Sequence, residues 1–200
     1  MENVASRSND KKDKTSECMD VLSKHVKSFG LGEYLGYDLK MGNKGRIPDG
    51  ACYDKWYGKN RWSSNYNISN SIGQGEVEAT PIQLANMVAA ISNRGFYYTP
   101  HIIKRIEGQE IDAKYTTPNY TTINKEHFEP IVQGMFDAYN VGTAASLRIP
   151  GIDICGKTGT AENFMRIDGK RTQLTDHSIF VAFAPKDNPK IAIAVFVENS

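Results

Sequence analysis

The run Cys155-Gly156-Lys157-Thr158-Gly159-Thr160-Ala161-Glu162-Asn163 carries a lysine, two hydroxyls and two glycines within the five residues from Gly156 to Thr160. Two chemistries fit those residue types. On a strand at the rim of a cleft, side chains alternate, so Lys157 and Gly159 share one face and Thr158 and Thr160 the other. Lys157 then offers a fixed positive charge for a substrate carboxylate or for proton traffic. Gly159 leaves room for a peptide to lie against the strand as an added β partner. The threonine hydroxyls can donate to a carboxylate, and a backbone N–H near Thr160 can serve an oxyanion hole. In the other chemistry, Gly151 to Thr158 spells G-x-x-x-x-G-K-T, the pattern of a phosphate-binding loop.

The surrounding residues argue against the phosphate loop. Such a loop needs a preceding strand, glycine-rich backbone, and a helix that opens at its Lys-Thr. Here the intervening residues are Ile152, Asp153, Ile154 and Cys155, and two of them are β-branched and resist positive φ. Arg148-Ile149-Pro150 makes a poor buried strand, and Asp168-Gly169 would break the helix soon after it started. From the tripeptide Lys157-Thr158-Gly159 alone, an exposed edge strand whose Lys157 discourages aggregation is the favoured reading.

The elements that would position this strand can be read from periodicity. Thr15 is placed to cap a first helix with Met19, Leu22, Val26 and Phe29 on one face, stopped by Gly30. From Leu31 to Asn70 the chain is rich in Gly, Asn, Asp and Tyr and reads as irregular loops. Its Trp56-Tyr57-Gly58-Lys59-Asn60-Arg61-Trp62 cluster suits either stacking of sugars or bases or anchoring of a loop. Thr80-Pro81-Ile82-Gln83 supplies an N-cap, a proline at the first helical position and a capping-box glutamine. Leu84, Met87, Val88 and Ile91 then keep helical spacing, and Gly95 stands at the stop. The preceding Ile72-Gly73-Gln74-Gly75 reads as a flexible turn.

Phe96 to Thr99 and His101 to Ile106 read as short strands. A helix is expected over about Glu126 to Tyr139, with Phe128, Ile131, Val132, Met135, Phe136 and Tyr139 on one side and Pro130 in its first turns. The closing unit reads as a three-strand meander: Ile152 to Glu162, a polar loop through Asp168-Gly169, Ser178 to Ala184, and Lys190 to Glu198. Ile191, Ile193, Val195 and Val197 alternate with Ala192, Ala194 and Phe196, so both faces are apolar and call for helices on each side. The expectation is an α/β/α architecture around an antiparallel sheet.

Bulk properties narrow the function. The chain has 200 residues and a formal net charge of +1, without the basic excess of a nucleic-acid binder. Cys18, Cys52 and Cys155 are an odd number without metal-ligand spacing, which suggests free thiols and no metal. No cofactor is expected. There is no signal peptide and no apolar run long enough to span a bilayer. Residues 1–14 form a polar, charged leader that cannot bury enough surface to order itself, leaving residues 15–200 as a partial domain. A core strand close to Ser200 suggests truncation at that end too.

Lys157-Thr158-Gly159-Thr160-Ala161-Glu162-Asn163 resembles the Lys-Thr-Gly box of penicillin-binding transpeptidases. Flanking segments agree: Ser71-Ile72-Gly73-Gln74-Gly75 leading into Thr80-Pro81-Ile82-Gln83-Leu84-Ala85, Ile91-Ser92-Asn93-Arg94-Gly95, Thr99-Pro100-His101-Ile102, Gly134-Met135, Gly142-Thr143-Ala144 and the last two strands. The resemblance runs from about Glu17 to Asn199 and points to the class B, elongation-type branch. It implies the serine β-lactamase/D,D-transpeptidase-like fold, incomplete at both ends, and peptidoglycan cross-linking. In that reaction a serine attacks the D-Ala-D-Ala carbonyl of a stem peptide, and the acyl group passes to a neighbouring amine. It also implies β-lactam binding, a glycosyltransferase partner in the elongation machinery, and a periplasmic catalytic domain on a bacterial inner membrane. Lys157 would act electrostatically or as a proton relay; Thr158, Gly159 and Thr160 would hold substrate.

Two further boxes of the family, Ser-x-x-Lys and Ser-x-Asn, are matched only formally. Ser8-Asn9-Asp10-Lys11 lies in the charged stretch with no apolar helix to activate its lysine. Ser63-Ser64-Asn65 falls after the segment it should precede. The expected nucleophile therefore lies upstream of Met1. A non-catalytic module that binds cell-wall peptides or division partners is the alternative. His177 is expected to make a structural hydrogen bond, and Glu162 and Asn163 to sit near the cleft mouth.

Overall fold

The computed structural model describes residues 13–38, 42–59 and 61–200. Helix α1 (Asp13–Lys27) packs on α2 (Gly50–Tyr57) and α3 (Asn65–Ser71). It already includes Asp13, Lys14 and Thr15, so Thr15 lies inside the helix and not at its cap. The rest of the expected leader, with Ser8-Asn9-Asp10-Lys11, lies outside the described residues.

Helices α2 and α3 were not legible as helices. Their sequences GACYDKWY and NYNISNS carry little apolar periodicity, and what holds them is tertiary. Tyr53 is fully buried, with the rings of Trp56, Tyr57, Trp62 and Tyr66 all between 4.9 and 5.8 Å from its own. Trp62 Nε1 donates to Asp54, and the Arg46 guanidinium lies 5.5 Å over Trp56. The aromatic cluster therefore anchors this region through its own ring contacts. Asn60 lies outside the described residues.

Helix α4 (Pro81–Ser92) has the predicted capping box: Gln83 N donates to Thr80 Oγ1 and Thr80 N to Gln83 Oε1. Gly95, at φ 115°, ends the turn by donating its N–H to the Ala90 carbonyl. After α4, β1 (Phe96–Tyr97) pairs antiparallel with β2 (Asn119–Tyr120), on either side of a single-turn α5 (Ala113–Thr116). The strand expected over 101–106 is not formed. The Ile102 and Ile103 N–H groups donate to the Asp38 carboxylate instead of to a neighbouring strand.

A 3-10 turn (Lys125–His127) leads into α6 (Phe128–Asn140), with Pro130 in its first turn as expected. Phe128, Val132, Met135 and Tyr139 are its buried residues, whereas Ile131 is exposed. The main sheet has the order β3 (Cys155–Ala161), β6 (His177–Ala184), β7 (Ile191–Val197), all antiparallel. The polar loop expected between the first two of these strands is a hairpin of its own, β4 (Phe164–Ile167) and β5 (Lys170–Gln173). Its turn is Asp168-Gly169, with φ of 51° and 76°, the dipeptide and backbone signs of a tight two-residue hairpin.

Cys155, Val181 and Phe183 on one face of the sheet pack with Val88 of α4 and Val132 and Met135 of α6. Helices α4 and α6 therefore cover the same face. On the other face, Ile191, Ile193, Val195 and Val197 are between 39% and 60% exposed. The helices expected on that second face are not among the described residues. The antiparallel sheet with packed helices is as expected.

Candidate functional site

Among the described residues, strand β3 is an edge strand, paired only with β6. Its register sets Lys157 opposite Val181, Thr158 opposite Phe180, Gly159 opposite Ile179 and Thr160 opposite Ser178. Alternation therefore puts Lys157 and Gly159 on the helix-covered face and Thr158 and Thr160 on the other. A phosphate loop needs a helix opening at Lys157-Thr158, and these residues lie within a strand. That excludes the nucleotide reading.

The free edge can be assigned residue by residue. In antiparallel pairing, a residue's N–H and C=O point toward the same neighbour. The Thr160 carbonyl accepts from Gln74 Nε2 (3.2 Å), and the Thr158 carbonyl accepts from Lys157 Nζ (2.6 Å). Both carbonyls thus face away from β6, and so do the N–H groups of Thr158 and Thr160. An incoming peptide backbone, or a developing oxyanion, would meet donors at these two positions.

The two glycines of the run differ in what surrounds them. A Cβ on Gly156 would come 2.8 Å from Phe180 Cζ, so packing within the chain requires glycine there. A Cβ on Gly159 would make only ordinary contacts with Ile179, at 3.6 Å and beyond. Nothing in the chain's own packing explains a glycine at that position, and the open space is what an external ligand would use.

Beside β3 lies a cavity of about 730 Å³, bounded by α1, α4, the 70–79 segment and the Lys157–Ala161 strand. Met19, Leu22, Val26, Leu84, Met87 and Ile179 make most of it apolar, while Lys157 and Thr160 supply polar groups at its strand wall. Asn70 lines it as well, and its buried Oδ1 has no partner among the described residues. Lys157 is exposed and makes no ion pair with a described carboxylate.

The Thr158 hydroxyl is hydrogen-bonded to Thr143 Oγ1 (3.1 Å). Thr143 and Gln74 thus support the strand, though neither was singled out as a site residue. The glycines on each side of Gln74, at φ 76° and 73°, were the available signal that this turn is sharply shaped. His177 Nδ1 accepts the Asn199 N–H (3.1 Å), a structural bond that requires the neutral ring with its proton on Nε2. Asn163 donates to Thr175 O and Asn199 Oδ1, so it clamps the corner after β3. Ser63, Ser64 and Asn65 stand at the start of α3 and do not line the cavity. Behind the cavity, Tyr53 and Tyr57 both donate to Glu76. That hydrogen bond pushes the Tyr57 phenol up to about 12, while burial followed by Glu76 raises Tyr53. Burial raises the Cys155 thiol to about 11, which makes it a poor nucleophile.

Comparison with known proteins places this geometry in a family. The sequence pattern of the penicillin binding protein transpeptidase domain matches residues 12–200. The chain is 34% identical over 192 residues to the peptidoglycan D,D-transpeptidase MrdA of Acinetobacter baumannii, covering 90% of this chain and 28% of that protein. Its fold is similar to Pseudomonas aeruginosa PBP2 in complex with WCK 5153, with a TM-score of 0.74, 30% identity, and coverage of 91% of this chain and 38% of that one. It is similar also to Helicobacter pylori PBP2 in a complex with MreC, with a TM-score of 0.73, 28% identity, and coverage of 94% and 34%. The chain thus spans under a third of the length of the curated MrdA relative. By the match across nearly its whole length, this chain belongs to the penicillin-binding protein transpeptidase domain family.

Proposed function

We propose that this chain is part of a peptidoglycan D,D-transpeptidase, in which it supplies the substrate-binding strand and not the nucleophile. The observation that carries the reading is β3 itself: an unpaired edge at a cavity wall, with Lys157 exposed and Gly159 open to an external ligand. A stem peptide ending in D-Ala-D-Ala would add to this edge as a further strand, held by backbone groups of Thr158 and Thr160. The Lys157 ammonium would attract the terminal carboxylate or assist proton transfer. The attacking serine would come from a part of the longer protein that this chain does not span. Residues 15–200 would then be one piece of that catalytic domain.

The likeness to MrdA supports a setting at the bacterial inner membrane, with the catalytic domain on the periplasmic side and a glycosyltransferase beside it. The complex of the Helicobacter pylori neighbour with MreC supports a multiprotein assembly. No described helix is long and apolar enough to cross a membrane. β-Lactams would reach the same edge but find no serine to acylate. Incubating the chain with a fluorescent penicillin and recording intact mass tests this. The expected outcome is no covalent adduct, together with amide shifts at Gly159 and Thr160 in NMR spectra. A stoichiometric mass increase on any serine overturns the reading.

A further inference from the structure

The β4–β5 hairpin grows directly out of the candidate site, since only Glu162 and Asn163 separate it from β3. Its base is fixed. Leu174 N donates to Asn163 O (2.8 Å) and Asn163 N to Asp176 Oδ1 (3.3 Å). Within the hairpin, Arg166 pairs directly with Arg171 in register. Two cations opposite one another on a sheet face repel and destabilise the pair. Neither arginine side chain has an ion pair or hydrogen bond to a described residue. Both are exposed.

One of the two is nevertheless held in place. The Arg171 guanidinium lies 3.8 Å over the Phe164 ring, on the same hairpin face as Arg166. Stacking fixes the guanidinium plane and leaves its N–H edge free for in-plane hydrogen bonds, the geometry that suits a carboxylate. Thr160 and Arg166 are six residues apart, at most about 20 Å of extended chain. An extended peptide of about six residues lying along β3 reaches that far.

We propose that Arg166 and Arg171 form a subsite for a side-chain carboxylate of the peptide bound along β3. The proposal rests on the peptide-binding reading of β3 and adds a preference to it: acidic peptides bind better than neutral ones. The charge complementarity is local, because the hairpin carries Arg166, Lys170 and Arg171 against the single acid Asp168. An anion between the two guanidiniums removes the repulsion that their register creates.

The test uses the full chain and two six-residue peptides, Nα-acetyl-L-Glu-L-Ala-L-Ala-L-Ala-D-Ala-D-Ala and its counterpart with Nα,Nε-diacetyl-L-Lys in place of the glutamate, with amide shifts at Gly159 and Thr160 as the readout. The expected result is about three- to tenfold tighter binding of the glutamate peptide, as for a partly exposed charge-assisted pair. That preference disappears in Arg166→Gln and in Arg166→Gln/Arg171→Gln, is partly kept in Arg166→Lys, and leaves the lysine peptide unaffected throughout. Arg166→Gln keeps the Phe164–Arg171 stack, so a collapsed hairpin cannot account for its effect. If both peptides bind equally to the parent chain, the subsite is refuted while the β3 reading stands. If neither peptide shifts Gly159 or Thr160, the β3 reading fails and the subsite with it. Loss of binding to phosphatidylglycerol vesicles in the arginine variants, with no peptide preference in the parent, would assign the pair to a lipid surface and overturn the proposal.

Discussion

Gly156 is closely packed within the chain and Gly159 is not, so alanine at each position tests whether Gly159 leaves room for a ligand. Gly156→Ala puts a methyl 2.8 Å from Phe180 Cζ, 3.1 Å from Cε2 and 3.5 Å from Ala182 Cβ. Overpacking of that kind costs about 1–3 kcal/mol. Reduced freedom of the unfolded chain returns about 0.5–1 kcal/mol, so the net loss is about 0.5–2 kcal/mol. Gly159→Ala meets only Ile179, at 3.6 Å and 4.0 Å, and keeps the entropic gain, so it is stabilising by about 0.5–1 kcal/mol. The two variants should differ by at least about 1 kcal/mol. Near the middle of the usual range of urea m-values, that is about 0.5 M between urea midpoints followed by tryptophan fluorescence. Peptide binding should reverse the order. The Gly159→Ala methyl occupies the space a strand-like peptide needs, and a clash of about 1.4 kcal/mol is tenfold in affinity. The reasoning is refuted if Gly159→Ala lowers the urea midpoint as much as Gly156→Ala, or binds the D-Ala-D-Ala peptides as the parent does.

Gln83 is 1% exposed, and its side chain serves Thr80 N, Glu33 O and Lys44 O. Gln83→Ala leaves these groups without that partner and should cost about 2–4 kcal/mol in chemical denaturation; a loss under about 1 kcal/mol would show that water replaces the side chain without penalty. The Ile103 and Ile102 N–H groups hold the Asp38 carboxyl below the usual carboxylate range. A depressed pKa adds stability that is present above the ordinary value and lost as pH falls through the lowered one. Hydrogen exchange at the Ile102 and Ile103 amides should therefore be slow at about pH 6 and lose its protection below about pH 4. Unchanged protection down to about pH 2 would refute the role assigned to Asp38.

How legible each element was depended on where its stabilising contacts come from. Helix α4 was readable because Thr80, Pro81 and Gln83 act within a few residues of one another at its start, and Gly95 closes on Ala90 at its end. β6 and β7 were readable because their apolar residues form continuous runs. The segment 101–106 misled because Ile102, Ile103 and Ile106 have strand propensity, yet among the described residues no strand pairs with it and Asp38 takes the amides. The β4–β5 hairpin carried its signal in Asp168-Gly169, but its exposed strands lack a buried face to show alternation. α2 and α3 left almost no local trace, since the ring cluster that holds them gathers residues from Tyr53 to Tyr66 around one buried phenol.

The sequence by itself determined that Lys157 and Gly159 share one face of a strand and Thr158 and Thr160 the other. That follows from the two-residue period of a β-strand, which is a local property. Its flanking segments also carried the family resemblance. Tertiary structure alone decided that this strand lies at a sheet edge, that its outward carbonyls meet Gln74 and Lys157, and that Thr143 ties down Thr158. It also decided that Gly156 is filled by Phe180 while Gly159 stays open. Which side of a strand is left unpaired depends on residues far along the chain, and no spacing within the strand encodes it.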